Sequence, residues 1–284
     1  FINRESDGSL APAGQDDYNR TYGFDGRWGI GPYATVSGWA GQTKTPGLNR
    51  DDHAYNLRVD YASPRWSNAI GFTEVAEDFN PEVGFLRRDD FRKLEGRVLY
   101  RYRPKDFFGL LELRPHVSYN AFWDLDGVQE SGFLHVDNHW EWKTSAEIHT
   151  GVNFIYERVK APFELVDGVF VPVGKYDNSE AQLVFMTDEG KALYAELRTN
   201  TGGFFNGSRN SMRPTVRYRI GETFSTELAW NYNRIDLPTE NDPFTINAAQ
   251  LRISYSFTPK MLLQALVQYD DRSDRVGMNL RFTV

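Results

Sequence analysis

The sequence predicts an all-β fold: a transmembrane antiparallel up-and-down β-barrel of about sixteen strands, with short periplasmic turns and long extracellular loops. Three observations predict it. Apolar and polar residues alternate in run after run, as Ala249, Leu251, Ile253, Tyr255 and Phe257 do against Gln250, Arg252, Ser254 and Ser256. A strand sends successive side chains to opposite faces, so each run is a ribbon with one apolar and one polar side. The connections between runs alternate short and long, which places tight turns on one rim and loops on the other. Aromatic residues make up 15% of the chain and gather toward run ends on the apolar side, as in Tyr22 and Trp28, Tyr55 and Tyr61, or Trp140 and Trp142. Amphipathic rings suit the two headgroup levels of a bilayer. A soluble sandwich also supplies alternating ribbons, but it mixes its connection lengths.

In order, the runs span residues 22–30, 33–43, 54–61, 66–73, 91–103, 110–123, 132–143, 146–157, 180–187, 192–200, 213–220, 224–234, 246–257, 261–269 and 276–284. Their short separators carry turn chemistry: Gly31-Pro32, Ser63-Pro64-Arg65, Pro104-Lys105-Asp106, Thr144-Ser145, Asp188-Glu189-Gly190, Gly221-Glu222 and Thr258-Pro259-Lys260. The long polar connections span 43–53, 74–90, 124–130, 158–179, 201–212, 236–245 and 270–275. Fifteen runs make an odd count, and the stub Phe1 to Glu5 supplies the sixteenth strand, which returns both ends to the short-turn rim. Phe1-Ile2-Asn3-Arg4 reads as a strand already under way, so the chain is expected to start inside the domain, without a signal peptide.

Composition bounds the alternatives. The chain has 284 residues, 40% of them hydrophobic, and a mean hydropathy of −0.56. No stretch approaches the ~20 apolar residues that a membrane helix needs. A barrel tolerates this polarity, because only alternate strand residues meet lipid. Cysteine is absent, which excludes disulfides and thiolate metal sites. The net charge of −7 argues against a nucleic-acid partner. The expected partners are the lipid bilayer and lipopolysaccharide of a bacterial outer membrane, with glycans as a candidate cargo and protein partners undefined.

Sixteen strands enclose a lumen wide enough for water. Parity assigns Arg97, Arg101, Glu112, Arg114, Glu147, Glu196, Arg198, Arg217, Arg219, Asn231, Arg252 and Arg281 to its wall, with Arg198, Arg217 and Arg219 forming a positive strip. The Thr144-Ser145 turn sets His139 opposite His149 and Glu141 opposite Glu147, while His116 projects the same way, near Asp137. Histidine with carboxylate suits a divalent metal or acid–base chemistry. A plain polar wall accounts for the same residues, and no serine nucleophile sits at a matching position. Asp124-Leu125-Asp126-Gly127 and Asp270-Asp271-Arg272-Ser273-Asp274 resemble calcium loops but lack the spacing of an EF-hand, and read as acidic turns. The adjacent Asp51-Asp52 do not set the roughly 5–9 Å between facing carboxylates that glycoside hydrolysis needs. No cofactor is expected from these patterns.

Several segments together resemble a known family. They are Asn19-Arg20-Thr21-Tyr22-Gly23-Phe24-Asp25, and above all Phe79-Asn80-Pro81-Glu82-Val83-Gly84-Phe85-Leu86-Arg87-Arg88-Asp89. Pro162-Phe163, Val171-Pro172-Val173-Gly174-Lys175-Tyr176, Gly202-Gly203-Phe204-Phe205-Asn206-Gly207, Gln268-Tyr269 and Asn279-Leu280-Arg281-Phe282 add to them. The chain resembles, over nearly its whole length, the bacterial barrel domain of unknown function 5916. The resemblance implies a barrel that usually follows a module like the family 9 carbohydrate-binding domains. It carries no catalytic residues. Within the 79–89 loop, Pro81 and Gly84 set a sharp excursion, and Arg87-Arg88 are expected to pair with Asp89-Asp90. Asn80, Pro81, Glu82, Gly84, Arg87, Arg88 and Asp89 are therefore expected in a loop folded inward or packed on the rim, as porin constrictions are built. Two functions follow as expectations: a channel or scaffold of the outer membrane, linked to glycan capture, or an outer-membrane hydrolase using the His/Glu face or the loop carboxylates.

Overall fold

The computed structural model describes residues 1–5, 17–48, 52–82, 84–239 and 242–284, so Asp51 and Val83 lie outside the described residues. The strands in chain order are β1 (Ile2–Glu5), β2 (Tyr18–Ile30), β3 (Ala34–Lys44), β4 (His53–Ala62), β5 (Trp66–Val75), β6 (Phe91–Tyr100), β7 (Leu110–Trp123), β8 (Gln129–Trp142) and β9 (Glu147–Val159). They continue as β10 (Phe163–Val166), β11 (Val169–Val171), β12 (Gly174–Met186), β13 (Leu193–Phe204), β14 (Gly207–Ile220), β15 (Phe224–Asp236), β16 (Phe244–Thr258), β17 (Met261–Asp270) and β18 (Arg275–Thr283). One antiparallel sheet of 16 strands runs in sequence order from β1 to β18, with β9 hydrogen-bonded directly to β12. The remaining pair, β10 and β11, forms a hairpin of its own inside the β9–β12 connection. No helix among the described residues is long and apolar enough to cross a membrane.

Three of the expected long connections turn out differently. Residues 201–212 are not a loop: β13 and β14 stay paired up to Phe204 opposite Gly207 and reverse through Phe205 and Asn206, at φ 47° and 65°. Two successive positive φ angles give a turn whose twist matches that of the flanking strands. The connection at 270–275 closes on an Asp270–Arg275 pair. The 158–179 segment is largely strand, because β9 runs to Val159, β12 begins at Gly174, and the hairpin fills the gap. The reason is common to the extended strands. A strand segment that meets water on both sides lacks the apolar face that marks a strand in sequence.

The residues fall into two compact units, one of residues 1–100 with 116–134 and one of residues 101–115 with 135–284. In the first, the apolar face is bare: Phe24, Trp28, Leu57, Ile70 and Val98 are all more than half exposed. Such a large uncovered apolar face on paired strands is suited to lipid rather than water. Rings gather at both ends of that face. Tyr33 meets Tyr61 at 6.1 Å and Trp66 meets Tyr100 at 4.8 Å by the short turns, while Phe1 meets Tyr22 at 5.1 Å and Tyr55 meets Phe72 at 6.0 Å by the loops. Packing lies on the opposite, polar face, where Phe79 is buried with Ala54 and Val75, flanked by Leu86 and Phe91.

The second unit repeats the arrangement. Ile220, Leu228, Met278 and Leu280 leave an exposed apolar face, with Tyr255, Phe257 and Phe282 clustered at its turn end. Two apolar clusters surround the β10–β11 hairpin. Val171 packs with Val159 and Tyr176, and Val169 packs with Ile235 and Leu237 beside Phe244 and Ile246.

Candidate functional site

The strands of the first unit present Thr43, Ala54, Val75 and Phe91 on the polar face, and the segment after β5 folds across them. Residue by residue, the 79–89 loop is fastened there. Phe79 anchors it in the apolar cluster. The Asn80 N–H donates to Thr43 Oγ1 at 3.0 Å, and the Asn80 carbonyl accepts from Asn19 Nδ2 at 2.7 Å. Asn19 is almost fully buried, so these bonds replace water that it has lost. The Gly84 N–H donates to the Pro81 carbonyl at 2.8 Å, closing the excursion that those residues predict. Glu82 forms an ion pair with Arg4, whose other arm holds Asp17 at 2.7 Å. Arg88 pairs with Glu130 and lies over the Phe122 ring at 4.9 Å, rather than pairing with Asp89 or Asp90. Asp89 is exposed. Sequence reading missed Arg4, Asp17, Asn19, Thr43 and Glu130 as partners of this loop, although Asn19 stands inside the first resemblance segment.

Between the loop and the strands lies a cleft of about 670 Å³. Trp39, Phe79, Phe91 and Phe122 give it aromatic walls, and Arg87 and Lys93 give it charge. Arg87 is exposed and has no ion-pair partner among the described residues.

The charged wall residues are mostly engaged with one another. Arg97 donates to Ser67 Oγ at 2.8 Å. Glu112, nearly buried, takes Arg103 at 2.8 Å and Arg101 at 3.8 Å. Arg114 bridges Glu147 at 2.7 Å and Glu141 at 3.4 Å. Arg198 pairs with its strand neighbour Glu196 at 3.1 Å. The expected positive strip is thereby reduced: Arg217 and Arg219 donate to the carbonyls of the β12–β13 turn, at 3.1 Å to Glu189 and 3.0 Å to Gly190. Arg217 stands opposite Glu227, which in turn stands opposite Arg252, and Arg281 stands opposite Gln264. Asn231 faces Ala248 on β16.

The β8–β9 hairpin has the register expected from its turn. Trp142 donates to the Ala146 carbonyl at 2.9 Å, and the His139 and His149 rings stack with centroids 3.5 Å apart and planes 3° from parallel. Glu141 does not join this pair, because it is drawn to Arg114 at 3.4 Å. The group beside the stack is Asp137, whose side chain is 1% exposed and whose Oδ2 lies 3.3 Å from His139 Nε2 and 3.4 Å from His135 Nε2. His135 was not anticipated. Its place two residues before Asp137, on the same face, is the signal that would have found it.

No family model matches the chain, and no curated protein does either. Among solved structures, Salmonella typhi OmpF in complex with daunomycin is similar at a TM-score of 0.50 and 13% identity, covering 89% of this chain and 83% of that one. The fold is that of a porin barrel. Its strands are those that carry the apolar face and the ring-lined ends described above, and its polar face is the one that carries the 79–89 loop.

Proposed function

We propose that the chain is an outer-membrane channel for small polar solutes, constricted by its 79–89 loop. The observation that carries this reading is the fastening of that loop to the polar face, through Phe79, Asn80, Glu82 and Arg88. In a porin barrel the polar face lines the lumen, so a loop clamped there narrows the passage. The bare apolar face meets lipid, with lipopolysaccharide around the loop end of the strands. Glycans are the solute class that the resemblance to barrels paired with sugar-binding modules favours, and the aromatic cleft offers ring faces for them to lie on.

The test is swelling of proteoliposomes that hold the refolded chain, in solutions of uncharged sugars of graded size. Monosaccharides are expected to enter quickly and oligosaccharides slowly or not at all. Folded, inserted protein that admits no monosaccharide would reject the channel.

A further inference from the structure

We propose that Asp137, His139 and His149, on the polar face of β8 and β9, form a binding site for one zinc-class divalent metal ion. Their candidate ligand atoms all lie within 4.8 Å of one another. An ion holding nitrogen and oxygen ligands tetrahedrally at about 2.0–2.2 Å sets them about 3.3–3.6 Å apart, so closure draws the ligand atoms together and turns one imidazole out of the His139–His149 stack, because both ring planes must contain the ion.

The surrounding hydrogen bonds set the histidine nitrogens as a metal site requires. His149 Nε2 lies 2.9 Å from Glu147 Oε2, which can only accept. Nε2 therefore carries the hydrogen, and Nδ1 is left with the lone pair. Glu147 is itself held by Arg114 at 2.7 Å, so the carboxylate–histidine unit is fixed from behind, the usual outer support of a metal-bound imidazole. His135 is oriented in the same manner. Asn153 Nδ2 donates to Glu180 Oε1 at 2.9 Å, which turns Asn153 Oδ1 toward His135 Nδ1 at 2.6 Å. His135 Nδ1 is then the donor, and its Nε2 faces Asp137 Oδ2.

The carboxylate of Asp137 thus sits between Nε2 of His135 and Nε2 of His139 with almost no access to water. A buried carboxylate needs positive charge close by, from protons on the rings or from a cation. His139 stacks on His149 at 3.5 Å with the planes 3° apart, so one ring turns out of the stack to bring its lone pair to the ion, and a bound cation then supplies that charge. Two imidazoles and one carboxylate select zinc, copper or nickel over magnesium or calcium. Three protein ligands leave a further position open to water or to an anionic group of a passing solute. The site does not depend on conductance, so it stands or falls apart from the channel reading.

The experiment uses the full chain refolded in detergent and stripped with EDTA. Zinc chloride is titrated calorimetrically, and cobalt(II) chloride is followed by visible absorption. One ion per chain is expected, with cobalt bands of a four- or five-coordinate nitrogen and oxygen site. His139→Gln and His149→Gln should each weaken zinc at least tenfold, and Glu147→Gln about 10–100-fold. His53→Gln, in the first unit, should leave binding unchanged. Heat-modifiable gel migration verifies the fold of each variant, and His139→Gln alone decides the matter if His149→Gln does not fold. Folded wild-type protein that takes up no zinc, or zinc binding unchanged by His139→Gln, would overturn the site in favour of a proton-linked network.

Discussion

At the scale of single residues, the two faces of each strand make opposite demands, and β16 shows it most cleanly. Leu251 stands midway along β16, with Leu228 and Val267 as its cross-strand neighbours, whereas Gln250 sits between Ala229 and Gln268 on the other face. A cation in place of Leu251 faces hydrocarbon; one in place of Gln250 faces water. Leu251→Arg is expected to cost about 2–4 kcal/mol in refolding titrations with lipid vesicles, and Gln250→Arg about zero. Equal costs would mean that the faces are misassigned. This parity was fully legible in the sequence, since it needs only a period of two. The His139–His149 pair was legible too, because a tight turn at Thr144-Ser145 fixes its register. Asp137 as the centre of the cluster was not, because which side chain sinks below its neighbours depends on the packing of adjacent strands. The same limit hid the partners of the arginines. Parity puts Arg217 and Arg219 on the polar face, but only coordinates show them capping the carbonyls of the 188–190 turn.

Among the elements, the 79–89 loop is the one that the proposed channel makes its constriction. Its hold depends on a few buried groups, and Asn19 is the one with the least room for substitution. Asn19 Nδ2 reaches both the Asn80 carbonyl and Thr45 Oγ1, at 2.7 Å and 2.8 Å. Asn19→Ala would leave the Asn80 carbonyl without this donor, at a cost of about 1–3 kcal/mol. Limited proteolysis of the refolded protein should then cut within residues 79–89 well before the wild type is cut there; identical cleavage rates would show that the loop is held by other means. The sequence pointed to an inward or rim-packed loop through Pro81 and Gly84, but not to its anchors, which come from strands far away in the chain. A related pattern joins three of the other resemblance segments. Pro162-Phe163, the 171–176 stretch and the 202–207 stretch converge in space, with Phe205 ringed by Phe163 at 5.7 Å, Tyr176 at 5.0 Å and Phe204 at 4.7 Å. Sequence reading placed all three of those stretches in long loops. The β10–β11 hairpin and the Phe205-Asn206 turn escaped it because strands outside the membrane carry no alternation to read.

For the molecule as a whole, the strand count and antiparallel order followed from alternation and turn spacing. A sheet with one polar and one apolar face gives these features a single physical cause. The strict short–long rhythm was an overreading. Two of the expected long connections are tight, so the asymmetry between the rims rests mainly on the 43–53, 74–90, 158–179 and 236–245 segments. Ion pairing along the polar face, as in Arg114 with Glu141 and Glu147, sets opposite charges side by side there. The central claim is that this wall bounds an aqueous path narrowed by the 79–89 loop, and single-channel recording in a planar bilayer tests it most directly. Wild-type protein should give discrete conductance steps, and the paired substitution Arg4→Ala with Glu82→Gln, which frees one side of the loop, should enlarge them. Folded, inserted protein with no steps in either form would contradict the account.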